Sequence, residues 1–207
     1  MPGELGSLRD CVTGEREVQG LRLFELDLPG GALACVGGIG KVNAARAAAI
    51  LIAESRPRRL LVAGVCGGLR RHLSPGTLVH CERAIQTDLA VREGREVAAD
   101  PQLREAWSAI LPGTTGTFLT ADRPVLSRWR RLRLARAFAG DCVADMETAA
   151  AAAVCRAAGV PWAALRAVTD GAGAAALLSF RKHYPSQGGR AADSVKGLLE
   201  RLERPTA

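Results

Sequence analysis

The run RLLVAGVCGGL, residues 59–69, constrains the fold more than any other stretch. Residues 59–63 are an apolar segment bounded by glycine and too short for a buried helix, the pattern of a strand covered on both faces. A strand of that kind needs helices on either side of its sheet, and the chain supplies them in alternation. Residues 43–54 carry an Ala/Ile/Leu face that Asn43 can cap and that Arg56-Pro57 ends. Further strands are predicted at 76–82, 116–119, 142–144 and 163–168, and further helices at 101–111, 127–138, 146–158 and 191–202. Ahead of them, residues 21–28 and 32–37 alternate in polarity around Pro29-Gly30-Gly31, which marks a hairpin. The order predicts one α/β domain over residues 1–207, a three-layer sandwich built on a mixed, largely buried central sheet.

Composition narrows the function classes. The 207 residues are 48% hydrophobic and carry a net charge of +7, an excess that comes from arginines scattered over predicted helix faces. Aromatic residues make up 4%, so the interleaved stacking platforms of a nucleic-acid binder are missing. The basic run RWRRLRLAR, 128–136, reads as an amphipathic surface helix with Trp129, Leu132 and Leu134 on its apolar side. Six cysteines lie far apart, with no CxxC and no Cys/His pair at ligand spacing, so neither a metal centre nor a redox motif is expected. The opening residues have no apolar core of signal-peptide length and no run reaches membrane-spanning length, which makes a cytoplasmic protein the expectation.

Three motifs can carry chemistry. GGIGKVNAA, 37–45, is a glycine turn leading into a helix, but Val42 stands where a Walker A motif needs Ser or Thr, and Asn43 where a dinucleotide fingerprint needs its third Gly. It remains a generic anion or polar-ligand site at a helix N-terminus. AGVCGGL, 63–69, follows a buried strand at its carboxyl end, where three glycines give a flat ligand access to the backbone. VADMETAAAA, 143–152, and AVTDGAG, 167–173, place Asp145, Glu147 and Asp170 at the ends of two further strands. Capping accounts for Asp145, which precedes a helix. It does not account as well for Glu147, and carboxylates gathered at one crevice cost stability unless a ligand or a cation uses them.

Taken in order, GGIGKVNAA, AGVCGGL, TGTFLTADRPV (115–125), VADMETAAAA and VPWAALRAVTD (160–170) resemble the purine nucleoside phosphorylase and nucleosidase superfamily over nearly the whole chain. The similarity is greatest to the 5'-methylthioadenosine/S-adenosylhomocysteine nucleosidase branch and its futalosine hydrolase and hopanoid-associated phosphorylase relatives. The resemblance implies cleavage of an N-ribosidic bond without a cofactor or metal, a purine nucleoside as the small-molecule partner, and a homodimer. It implies that Asp170 is the acid at purine N7, that Glu147 holds the ribose hydroxyls and that Met146 packs on the sugar. Cys66 and Gly67 would lie along the base, Val125 with Pro124 on its other side, and Phe180 would close over the substrate. Glu4 is the candidate for activating water. The family's first buried strand has no counterpart ahead of Glu4, so either the sheet lacks that strand or the start lies upstream. Where phosphorylases of the superfamily carry a phosphate-binding Arg and a Ser or Thr, this chain has Val62 and Val65, which favours water over phosphate as the attacking group. The alternatives are a phosphate-dependent phosphorylase and a purine-binding protein whose catalysis has decayed.

Overall fold

The computed structural model describes residues 5–173 and 176–203. A 3-10 turn at Gly6–Cys11 leads into three antiparallel strands, β1 (Val12–Val18), β2 (Leu21–Leu26) and β3 (Ala32–Cys35), which form a sheet of their own. The register matches apolar residues on both faces of the pair: Leu23 lies opposite Cys35 on the side of Ala47 and Ile50, and Phe24 and Leu26 lie opposite Ala34 and Ala32 on the side of Leu5 and Leu8. The hairpin is thus as predicted, while β1 (VTGEREV) was hidden by its charged, alternating sequence.

The second sheet has six strands: β4 (Leu60–Gly68), β5 (Leu78–Gln86), β6 (Glu96–Ala98), β7 (Thr114–Thr120), β8 (Cys142–Asp145) and β9 (Trp162–Asp170). Their order is β6-β5-β7-β8-β4-β9, and β9 also pairs with β5. Pairs β4/β9, β5/β7 and β7/β8 are parallel, and β4/β8 and β5/β9 antiparallel, so the mixed sheet is as expected. Five of its strands close into a ring. All nine residues of β9 are buried, as predicted for a strand covered on both faces.

Helices α1 (Lys41–Ser55), α2 (Pro101–Ile110), α3 (Arg128–Ala137), α4 (Thr148–Ala158) and α5 (Ala176–Leu202) complete the fold. Helix α1 packs on α4, where buried Ala48 joins Ala149, Ala151 and Ala152, while its Ala47 and Ile50 pack with Leu21 and Leu23 of β2, and α5 lies on β4 and β9. Asp100 caps α2 by accepting from Leu103 N at 2.8 Å, with Pro101 at the first position where its missing N–H costs nothing. Asn43 does not cap α1. The N-cap is Gly40, at φ 94°, and the Asn43 amide instead donates to Ile39 O at 2.8 Å. Helix α5 starts well before residue 191 and runs through Pro185 and Gly188-Gly189, residues that argue against a helix when read alone. Helix α3 departs from its expected amphipathic form: only Ala135 is buried, and Trp129 is 81% exposed. Among the described residues no helix is long and apolar enough to cross a membrane.

Gly68 sits where β4 meets β8, and a Cβ there would collide with the Leu73 carbonyl oxygen. Gly68→Ala is expected to destabilise the fold by about 1–3 kcal/mol, the usual cost of overpacking, read as a lower urea midpoint at unchanged slope.

The ring leaves one wide gap. β4 pairs with β9 from Leu60 to Gly67, but on its other side only Gly67 and Gly68 have a strand partner, in β8. β3 likewise pairs only with β2, so the two sheets face each other without a shared ladder.

Candidate active site

A cavity of about 490 Å³ opens at the carboxyl ends of β4, β8 and β9, within the range of about 300–1,000 Å³ typical of small-molecule sites. Cys66, Gly67, Val125, Met146, Glu147, Asp170 and Phe180 all line it, although they come from five separate stretches of sequence. Glu4 lies outside the described residues.

Asp170 ends β9 and is 8% exposed. Its Oδ1 accepts from Ala172 N at 2.8 Å and its Oδ2 from the Thr169 hydroxyl at 2.9 Å. Burial pushes its pKa up, and these two hydrogen bonds oppose the shift without reversing it. The carboxyl is therefore biased toward its protonated form while it faces the cavity, the state a proton donor requires.

Glu147 stands at the junction of β8 and α4 as the N-cap position of α4, yet its side chain makes no capping bond to that helix. Its Oε1 instead accepts from Gly40 N at 3.1 Å, at the N-terminus of α1, and its Oε2 lies 3.3 Å from Arg166 Nη2. The backbone N–H of Lys41 is taken by Asp122 Oδ1 at 3.1 Å. The anion-binding end of α1 is thus occupied by the protein's own carboxylates, which corrects the reading of residues 37–45 as an open anion site.

Asp145 is also corrected. Its oxygens receive the hydroxyls of Thr120, at 2.5 Å, and Thr148, and Oδ2 lies 3.4 Å from Arg166 Nη2, so no backbone N–H of α4 is capped by it. Its side chain is fully buried and spoken for, which leaves Glu147 and Asp170 as the carboxylates available to a ligand.

Arg166 is the residue that sequence reasoning left without a role. It lies midway along the wholly buried β9, with its side chain 6% exposed. Burial pulls its pKa down, but Asp145 and Glu147 outweigh burial and hold it above the ordinary arginine value. Arg166 also donates to the Thr148 hydroxyl at 3.0 and 3.2 Å and to Val65 O at 3.1 Å. The repulsion expected among gathered carboxylates is therefore answered by an internal cation. An arginine inside an otherwise apolar strand is the signal that could have found it, because a buried cation must be paired.

Gly64 and Gly67 of residues 63–69 line the cavity and also accommodate neighbouring side chains of the protein. A Cβ on Gly64 would lie 2.6 Å from Arg166 Nη1, and one on Gly67 would lie 3.0 Å from Asp170 Oδ1. Each glycine lets a site side chain lie against the strand. The Cys66 thiol, 4% exposed, is pushed well up by burial, which keeps it a protonated wall residue.

Phe180 and Tyr184, one turn apart on α5, have ring centroids 4.9 Å apart and line the cavity together. Ile39, Leu126 and Leu177 line its mouth while remaining more than a third exposed. Among the described residues there is no group of three or more His, Cys, Asp or Glu side chains that could hold a metal.

Known proteins share this fold. A 5'-methylthioadenosine/S-adenosylhomocysteine nucleosidase of Geobacillus sp. (strain WCH70) is 29% identical over 185 residues, covering 81% of this chain and 79% of the relative. The crystal structure of the nucleosidase of the same name from Neisseria meningitidis, in complex with methylthio-immucillin-A, superposes with a TM-score of 0.90 at 26% identity, over 98% of this chain and 96% of that one. Futalosine hydrolase of Helicobacter pylori strain 26695, at 21% identity over 98% and 95% of the two chains, shares the fold with a TM-score of 0.91. The family model of the phosphorylase superfamily matches residues 1–201, and the chain belongs to that superfamily.

Proposed function

We propose that the protein is an N-ribosyl hydrolase that cleaves the glycosidic bond of a purine nucleoside, with 5'-modified adenosines as the first substrates to test. The observation that carries this reading is the convergence of Asp170 and Glu147 on one cavity, the first biased toward protonation by burial and the second ionically paired with Arg166. In the proposed reaction the bond from C1' to the purine nitrogen breaks and its electrons leave with the base. Asp170 supplies a proton to the purine at N7, so the base departs neutral. Glu147 accepts hydrogen bonds from ribose hydroxyls, and its charge stabilises the positive character that develops at C1', as carboxylates do in glycoside hydrolysis. Water adds to C1' and gives up a proton to a base, the role for which Glu4 is the candidate.

Water is preferred to phosphate because the positions at which superfamily phosphorylases carry their phosphate ligands are apolar here, although Arg123 and Arg130 also line the cavity. Val62 and Val65 supply only apolar side chains, Arg166 is already paired with two carboxylates, and the α1 N-terminus is occupied by Glu147 and Asp122. With 5'-methylthioadenosine as substrate, the free purine should appear at the same rate in phosphate-free buffer as in buffer with phosphate. Strict dependence on phosphate would reassign the protein as a phosphorylase.

A homodimer is part of the same proposal. Ile39, Leu126 and Leu177 at the cavity mouth, with Val42, Trp129 and Leu178 exposed on the neighbouring helices, form an apolar surface of the kind a second copy covers. Sedimentation at micromolar concentration should give twice the chain mass, and Trp129→Glu should shift it toward the monomer.

A further inference from the structure

We propose that Arg131 of α3 is a positioning residue for Asp170, acting through the backbone of residues 171 and 172. The role rests on the reading of Asp170 as proton donor and supplies the device that aims it. Arg131 Nη1 donates to Gly171 O at 2.9 Å, the carbonyl directly after the acid. The next residue, Ala172, turns its N–H back to Asp170 Oδ1 at 2.8 Å. One line of contacts therefore runs from the basic helix α3 to the carboxyl. The other oxygen of Asp170 has its own anchor in the Thr169 hydroxyl, within β9, so α3 governs the Oδ1 side.

Two features mark this line of contacts as actively held. Ala172 sits at φ 46°, in the left-handed region that a residue with a Cβ enters at a cost. Gly171 and Gly173 on either side impose no conformation of their own, so the turn that aims the Ala172 N–H is fixed from outside. Helix α3 supplies the fixing. Ala135, one turn beyond Arg131 and so on the same face, is buried in one apolar cluster with Ala172. β4 approaches as well, so closely that a Cβ on Gly67 would lie 3.1 Å from that of Ala172. The second feature is Arg131 Nε, which is buried without a hydrogen-bond partner. A buried unpaired donor costs stability, so solvation alone would draw this guanidinium outward. Both outliers converge on Asp170, the pattern of strain kept at a functional site.

Arg131 does not act on Asp170 as a charge. The proton affinity of Asp170 is set by burial, by the Ala172 N–H and by the Thr169 hydroxyl. The other titratable groups around it belong to other elements: Cys66 of β4, Arg166 of β9 with its partners Asp145 and Glu147, and His183 of α5, whose Nδ1 lies 3.2 Å from Thr169 O. These stay in place when Arg131 is replaced, so a change at Asp170 reports the brace.

The full chain is compared with Arg131→Met, Arg131→Lys and Arg133→Met. Met keeps the apolar stem and removes the donor, Lys restores a donor, and Arg133 is an exposed arginine of the same helix. Helix α3 buries only Ala135, so the Met variant should fold, and Arg131→Gln, with its shorter side chain, serves if it does not. Arg131→Met should speed amide exchange at Ala172 by about 10-fold or more, as local opening becomes easier. It should also raise the Asp170 titration read from carboxyl NMR shifts, because the Ala172 bond that lowers this pKa is weakened. Turnover should fall about 10-fold with KM little changed, and its alkaline limb should move to higher pH with the carboxyl. Arg131→Lys should recover most of each effect, and Arg133→Met should match the native chain. Native exchange at Ala172 with a native Asp170 titration in Arg131→Met would overturn the proposal, as would equal effects from Arg133→Met. Exchange and titration are read without any nucleoside, so a chain that cleaves none would overturn the hydrolase reading and still leave the brace decided by these two readouts.

Discussion

Asp170→Asn should lower turnover by about 10²- to 10⁴-fold, the range spanned by loss of a general acid, while nucleoside binding measured by calorimetry weakens far less. Asn preserves the volume; its oxygen can accept from Ala172 N, and its amide can donate to the Thr169 hydroxyl, which retains Cys66 O as an acceptor, so the variant should fold. The pH behaviour is a second signature. Burial raises the folded pKa of Asp170 above its unfolded value, so the native state binds this proton more tightly than the unfolded chain does. Its contribution to stability is complete below the ordinary carboxylate range and is lost as pH rises through the folded pKa. Asp170→Asn should therefore be more stable than the native protein at neutral pH, with the difference closing in acid. An active Asn variant, or one whose stability follows the native pH profile, would remove Asp170 from the proton-donor role.

Arg166→Met should destabilise the protein by about 3–5 kcal/mol, because removing one partner of a buried ionic cluster leaves the others uncompensated. Asp145 is fully buried and would lose the cation at 3.4 Å, and Glu147 would lose the one at 3.3 Å. Arg166→Lys should recover only part of the loss, since a single ammonium cannot serve two carboxylates, the Thr148 hydroxyl and Val65 O at once. The midpoint of urea unfolding decides the matter. A Met variant as stable as the native chain would mean that the cluster gives nothing net to folding.

Much of this arrangement can be read from the residues, and the limits have physical causes. Apolar runs bounded by glycine located β4, β7, β8 and β9, because burial on both faces leaves a strong local signature. β1 and β6 were missed since an edge strand with charged alternating residues resembles a loop. The early part of α5 was missed because Pro185 and Gly188-Gly189 break local propensity, which its packing on β4 and β9 overrides. For the site, strand-end logic brought Glu147 and Asp170 to one cavity but could not say which way the Asp145 oxygens turn. That depends on Thr120, Thr148 and Arg166, residues from three other elements. The side chains that lie against Gly64 and Gly67 were not legible for the same reason, as Arg166 and Asp170 are distant in sequence.

Because β5 bonds to β9 as well as to β7, the five strands that bear the site form a hoop, in which no member can swing away without tearing the seams on both its flanks. The seams are unequal. β4 is stitched to β8 through Gly67 and Gly68 alone, beside Asp170, whereas it is stitched to β9 along almost its entire length. If the hoop breathes, it does so at that narrow stitch, and the rest of the frame stays shut.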